Sequence, residues 1–173
     1  MSIETASIRV SYALMDFFKA LIELGEHKGG LDRVALEFLR EQASNVQFKP
    51  EEFLEFALRG SPKAPSTIVQ AKYRALMESI DRIHSTPEWE GAGEEGRTSL
   101  GLHVLDECLR DAEARGLLSK EGVGWVQTGF AISTAHDSGI PINWEKLLKF
   151  VGGSEDLAKV KRAYEDARER GNG

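Results

Sequence analysis

Apolar residues recur at intervals of three and four in one segment of this chain after another, and that period calls for α-helices. The pattern is clearest where Leu31, Val34, Ala35, Phe38 and Leu39 fall at i, i+3, i+4, i+7 and i+8. Between residues 66 and 84, Val69, Tyr73, Leu76, Ile80 and Ile83 alternate by four and three, a seam of the kind that joins helices in a bundle. The first helix, over about residues 5–26, carries a broader stripe built on Val10, Leu14, Phe17, Phe18, Leu21 and Leu24, which predicts a central position.

Stop and start signals divide the rest. Gly29 and Gly30 end the first helix, and Ser44 and Asn45 end the second. Pro50, with Glu51 and Glu52, opens a short helix that turns Phe53, Phe56 and Ala57 inward and stops at Gly60. A helix from Thr98 or Ser99 presents Leu102, Leu105, Leu109 and Ala112, and Gly116–Leu117 fits a Schellman ending. Asn143 caps a segment whose Trp144, Leu147, Leu148 and Val151 share a face, and Gly152–Gly153 stop it. Ser154 then caps a last helix, with Glu155 and Asp156 in its first turn and Arg168 and Arg170 in its last. Leu157, Val160, Tyr164 and Ala167 form its inner face. The fold class read from this pattern is all-α, an irregular bundle of about seven or eight helices. It is one domain over residues 1–173, closing on a C-terminal helical pair at 143–170. Residues 85–97, STPEWEGAGEEGR, read as a mobile acidic loop in which Trp89 stands alone, either an exposed aromatic anchor or a cover for the core.

Charge narrows the partner classes. The net charge is −6, and the segment from Pro87 to Leu118 holds eight acidic against three basic residues. Phosphate attraction supplies most non-specific nucleic-acid affinity, so an acidic chain is a poor candidate for it. The single cysteine, Cys108, forbids an internal disulfide and suits a reducing compartment. The first residues lack a basic start followed by an apolar core, and Asp16, Lys19 and Glu23 interrupt the longest apolar stretch. The expectation is a cytoplasmic protein with no membrane partner.

Catalytic chemistry finds little support. His27, His84, His103 and His136 each have a carboxylate nearby, but with 28 acidic residues in 173 such neighbours arise by chance. His103 and Glu107 would share a helical face as two ligands of a bundle metal site do, and that pair carries the reading of a metal-dependent helical-bundle enzyme. Cys108 lies beside Leu105 and Leu109, where a cysteine is usually a small hydrophobe. Ser133 and His136 could touch on a helix, but no glycine-x-serine-x-glycine elbow accompanies them. GAGEEGR lacks the lysine of a phosphate loop, and Glu94 and Glu95 would repel phosphate. No enzymatic activity and no cofactor are expected.

Residues 98–128 allow two structures. A helix ending in ARGLL, then a polar turn and GVGWV, resembles the recognition helix and wing of winged helix-turn-helix regulators. The resemblance implies a small β-hairpin near 122–128 and nucleic-acid contacts from Arg110, Arg115 and Lys120. Against it, Asp106, Glu107, Asp111 and Glu113 outweigh Arg110 and Arg115 on a helix that would enter the major groove. The favoured structure is an αα-hairpin in which Ser119 caps a second helix and Trp125 and Phe130 pack inward, although Gly122, Gly124 and Gly129 each weaken a helix by roughly 1 kcal/mol. The leading function is therefore a non-enzymatic regulatory or interaction protein. It would bind another protein, a basic one, through helix faces and an acidic surface that includes Glu88, Trp89, Glu94 and Glu95. A DNA-binding transcriptional regulator is the alternative.

Overall fold

The structure, a computed structural model, describes residues 1–25, 31–46, 52–59, 67–149 and 154–172. Among these the chain is all-α, with nine helices and no strand. They are α1 (Ile3–Gly25), α2 (Asp32–Ser44), α3 (Phe53–Arg59), α4 (Thr67–Ile83), α5 (Pro87–Gly91), α6 (Glu94–Ala114), α7 (Lys120–Asp137), α8 (Trp144–Leu147) and α9 (Ser154–Asn172). None of them is long and apolar enough to cross a membrane. The roles expected of Gly29, Gly30, Pro50, Glu51, Gly60, Val151, Gly152 and Gly153 lie outside the described residues.

The helices sort into two compact units that alternate along the sequence. One comprises Met1–Gly30 and Ser61–Leu117, the other Leu31–Gly60 and Leu118–Gly173. In the first unit α1 packs along α4 and also meets α5 and α6. Its broad stripe buries Val10, Leu14, Phe17, Phe18 and Leu21, and Phe17 meets Tyr73 of α4 with ring centroids 5.6 Å apart. Val69, Leu76 and Ile83 of α4 are buried as their spacing requires. In the second unit α2 packs on α7 and α9, and α3 leans on α2. Leu157, Val160, Tyr164 and Ala167 of α9 are all buried.

Two helix boundaries differ from expectation. Residues 85–97, read as a loop from their composition, supply α5 and the first turn of α6. Thr86 caps α5 by accepting the Trp89 N–H, Pro87 occupies the first turn, and Glu88 and Glu90 favour that end electrostatically. A complete start signal thus outweighs a loop-like composition over five residues. Helix α6 begins at Glu94 rather than Thr98 or Ser99, because the Thr98 hydroxyl donates to the Glu94 carbonyl at 3.1 Å inside the helix and caps nothing. Its buried face is Val104, Cys108, Leu109 and Ala112, whereas Leu102, assigned to that face, is 40% exposed. Leu148, expected to face inward, is 41% exposed.

The stretch around residues 122–128 is not a β-hairpin. It lies within the continuous helix α7, so the strand that a wing needs is missing. Helix α6 ends in the expected Schellman motif: Leu117 N–H donates to the Ala112 carbonyl at 2.9 Å, Gly116 N–H to that of Glu113 at 3.0 Å, and Gly116 takes a φ of 73°. Ser119 then caps α7 by accepting the Gly122 N–H at 3.2 Å. Trp125 is buried and Phe130 half-buried. The glycines that argued against this helix are explained in part by close packing on α2. Asp32 Oδ1 accepts the Ser119 N–H at 2.9 Å, and a Cβ at Gly122 would collide with that carboxylate. A second Schellman ending, Ile140 N–H to the Ala135 carbonyl at 2.9 Å with Gly139 at φ 68°, closes α7. Asn143 caps α8 by accepting the Lys146 N–H at 3.1 Å.

Two glycines of one helix should therefore respond with opposite signs. Gly122→Ala should lower stability by about 1–3 kcal/mol, because Asp32 must abandon its bond to Ser119. Gly129→Ala places its Cβ 3.6 Å from Leu39, an ordinary contact, and should raise stability by up to about 1 kcal/mol through helix propensity. Denaturant midpoints at unchanged slope measure both, and equal effects would contradict this packing of α7 on α2.

Candidate functional site

The expected partner-binding residues gather at the corner where α5 turns into α6, in the first unit. Trp89 is half-buried and folded back rather than displayed. Its ring lies 4.8 Å from that of His84 at the end of α4, and the Arg97 guanidinium sits 5.9 Å from the ring centre. Arg97 Nε also donates to the Trp89 carbonyl at 3.0 Å. The His84 ring and the Arg97 guanidinium hold the indole, and the bond from Arg97 holds its carbonyl, so Trp89 braces the corner. Glu88 is exposed, and its Oε2 accepts the Ile3 N–H at 3.2 Å, satisfying one of the donors that the start of α1 leaves open. Glu90 points to solvent on α5. Glu94 and Glu95 are exposed in the first turn of α6, where the helix dipole favours their charge.

Of the residues proposed for nucleic-acid contact, Arg110 and Arg115 lie in the first unit and Lys120 in the second. Arg110 pairs with Asp106 at 2.9 Å along α6, and the Arg115 guanidinium lies 5.9 Å from the centre of the Tyr12 ring. Lys120 begins α7 in the other unit. Both arginines are thus engaged within the first unit by groups of that unit.

A groove that the sequence did not signal runs between α1 and α6. It encloses about 230 Å³. Ile3 and Ile8 from α1 and Leu100 and Val104 from α6 supply its apolar lining. Ser7 lines it too, but its hydroxyl is satisfied by donating to the Ile3 carbonyl at 2.7 Å. Glu4 and Glu107 give the walls negative charge, and His103 Nε2 lies 3.2 Å from Glu107 Oε1. One turn further on the two helices are tied together: the Ser11 hydroxyl donates to the Asp111 carboxylate, and Arg115 covers Tyr12. Ile8 and Tyr12, four residues apart on α1, remain 57% and 61% exposed. The breadth of the α1 stripe was the available signal, but a broad stripe does not say which of its edges stays open.

Reactive groups are few. Cys108 is buried, and its thiol is pushed from an ordinary 9.0 up to about 12, first by burial and then by the charge of Asp111, with Ser11 opposing and Glu107 adding to the rise. His136 Nδ1 shares a hydrogen bond of 2.9 Å with the Tyr164 hydroxyl. Among the described residues no three histidine, cysteine, aspartate or glutamate side chains converge as metal ligands would. Comparison with protein-family models, with curated proteins and with solved structures found no match.

Cys108 provides a test of this environment. A rise from 9.0 to about 12 cuts the thiolate fraction near pH 8 by a factor on the order of 10³, so disulfide reagents should label the native thiol at least about 100-fold more slowly than the unfolded one. The unfolded thiol ionises above 9.0 while the folded one keeps its proton up to about 12, so rising pH in that window favours the unfolded chain. Cys108→Ala should remove that part of the alkaline loss of stability, and thiol titration with pH-dependent melting checks both outcomes.

Proposed function

We propose that this protein is a non-enzymatic interaction module that binds a basic protein segment through the acidic surface of α5 and α6. The observation that carries the reading is the α5–α6 corner. There Glu88, Glu90, Glu94 and Glu95 lie exposed within eight residues, four acids against the one base of residues 88–97, Arg97, which is held on Trp89. Acids continue along α6 at Asp106, which pairs with Arg110, at Glu107 beside His103, and at Asp111 and Glu113. Such a surface draws a cationic partner by long-range attraction and turns away polyanions. Trp89 and the Glu88 bond to α1 brace the backbone that carries these acids, which lowers the ordering cost of binding. With a single free cysteine the chain forms no internal disulfide, and on that ground we place the protein in the cytoplasm.

Fluorescence anisotropy with a labelled lysine- and arginine-rich helical peptide tests the proposal. The wild-type protein should bind it with an affinity that falls as salt rises, and Glu94→Lys with Glu95→Lys should weaken binding by about 10-fold or more while flattening the salt dependence. Equal binding by both forms would overturn the reading. So would tighter binding of duplex DNA than of the peptide at physiological salt.

A further inference from the structure

We infer that the groove between α1 and α6 is the seat of one basic amphipathic helix of the partner protein, which places an apolar side chain between Ile8 and Val104 and its cations against Glu4 and Glu107. The inference rests on the proposed preference for a basic partner and adds where and in what form that partner binds. Size argues first. About 230 Å³ is below the roughly 300–1,000 Å³ of most small-molecule sites, but it accommodates an anchoring side chain.

The lining argues second. Its apolar members span about a turn and a half of α1, Ile3 to Ile8, and little more than one turn of α6, Leu100 to Val104, and the Ser7 hydroxyl is already bonded, so the floor asks for hydrocarbon rather than for a hydrogen-bonding group. Neither wall has a strand edge, which rules out strand addition. Helix faces receive another helix through side chains spaced at i, i+3 and i+4. The link between Ser11 and Asp111 closes the groove at its far end and sets the length available to about two turns.

Charge selects among occupants. Glu4 and Glu107 flank an apolar slot on a chain of net charge −6, with His103 beside Glu107 at 3.2 Å and Glu94 and Glu95 further up α6. A second copy seated symmetrically would set Glu4 and Glu107 against their own counterparts, and an anionic lipid surface would be repelled. A helix with apolar residues on one face and lysine or arginine on its flanks complements both features.

The probe is a synthetic peptide with leucines on one helical face and lysines and arginines on the other, followed by anisotropy and stopped-flow kinetics on the full chain. Ile8→Ala with Leu100→Ala should weaken binding by about 10-fold or more through faster dissociation, whereas Glu94→Lys with Glu95→Lys should act mainly by slowing association. A peptide of the same composition in scrambled, non-amphipathic order should bind about 10-fold more weakly or worse. If the double alanine variant keeps its affinity within about twofold while the lysine variant loses binding, the groove is not the seat and the acidic-surface reading stands alone. If the peptide binds no form of the protein, both fail. Should Leu100→Ala disturb folding, Ile8→Ala alone and a spin-labelled peptide on the unaltered protein give the answer. Amides of residues 3–8 and 100–107 should broaden first, and broadening confined elsewhere overturns the inference. Self-association of the free protein lost in Ile8→Ala, or binding to anionic vesicles in preference to the peptide, would likewise overturn it.

Discussion

Burial of α1 is the interaction on which the first unit depends. Phe17 and Leu21 are fully enclosed, and the same helix receives α4, α5 and α6. Burying a large apolar side chain contributes roughly 1.5–3 kcal/mol, so Leu14, Met15, Phe17, Phe18 and Leu21 together outweigh any single polar contact in this unit. The acidic corner and the groove are both fastened to that helix. Glu88 caps its start, Ser11 and Tyr12 hold α6 one turn beyond the groove, and Ile8 supplies the open wall. The groove exists because α1 carries more apolar surface than its neighbours cover.

The second unit is governed by close approach. Asp32 accepts the Ser119 N–H while Gly122 lies directly against the same carboxylate, so the entry to α7 is fitted to the first residue of α2. Three glycines in one helix look like a defect if propensity alone is weighed. Two of them, Gly122 and Gly124, are buried, and at Gly122 the cost of a helical glycine is smaller than the cost of the clash that a side chain would cause.

Periodicity carried most of the fold. The inner faces of α4 and α9, the Gly116–Leu117 ending, and the caps at Ser119 and Asn143 are local properties, written in residues within one or two turns of each other. What periodicity missed has a common cause. Helix α5 is signalled only by Thr86–Pro87 and two glutamates, against a background of glycine and charge. The face of α6 is rotated from Leu102 to Val104 because contacts with α1, remote in sequence, decide which edge is covered. The site suffered the same limit. Glu94 and Glu95 are legible as exposed acids, but Trp89 is held by His84 and Arg97, and the value of Ile8 depends on Leu100 and Val104 some ninety residues away.

The alternation of the two units along the chain has a consequence for synthesis. Helix α2 leaves the ribosome well ahead of α7 and α9, its partners within the unit, and 75 residues lie between Ser44 and Lys120. At about 5–20 residues per second, its stripe of Val34, Ala35 and Leu39 stays without those partners for roughly 4–15 s, and for longer until α9 emerges. Meanwhile the segments of the first unit are complete once Leu117 has been made. The order of synthesis therefore favours one unit folding while the other waits, with an amphipathic helix left open to chaperones or to misassembly in the interval.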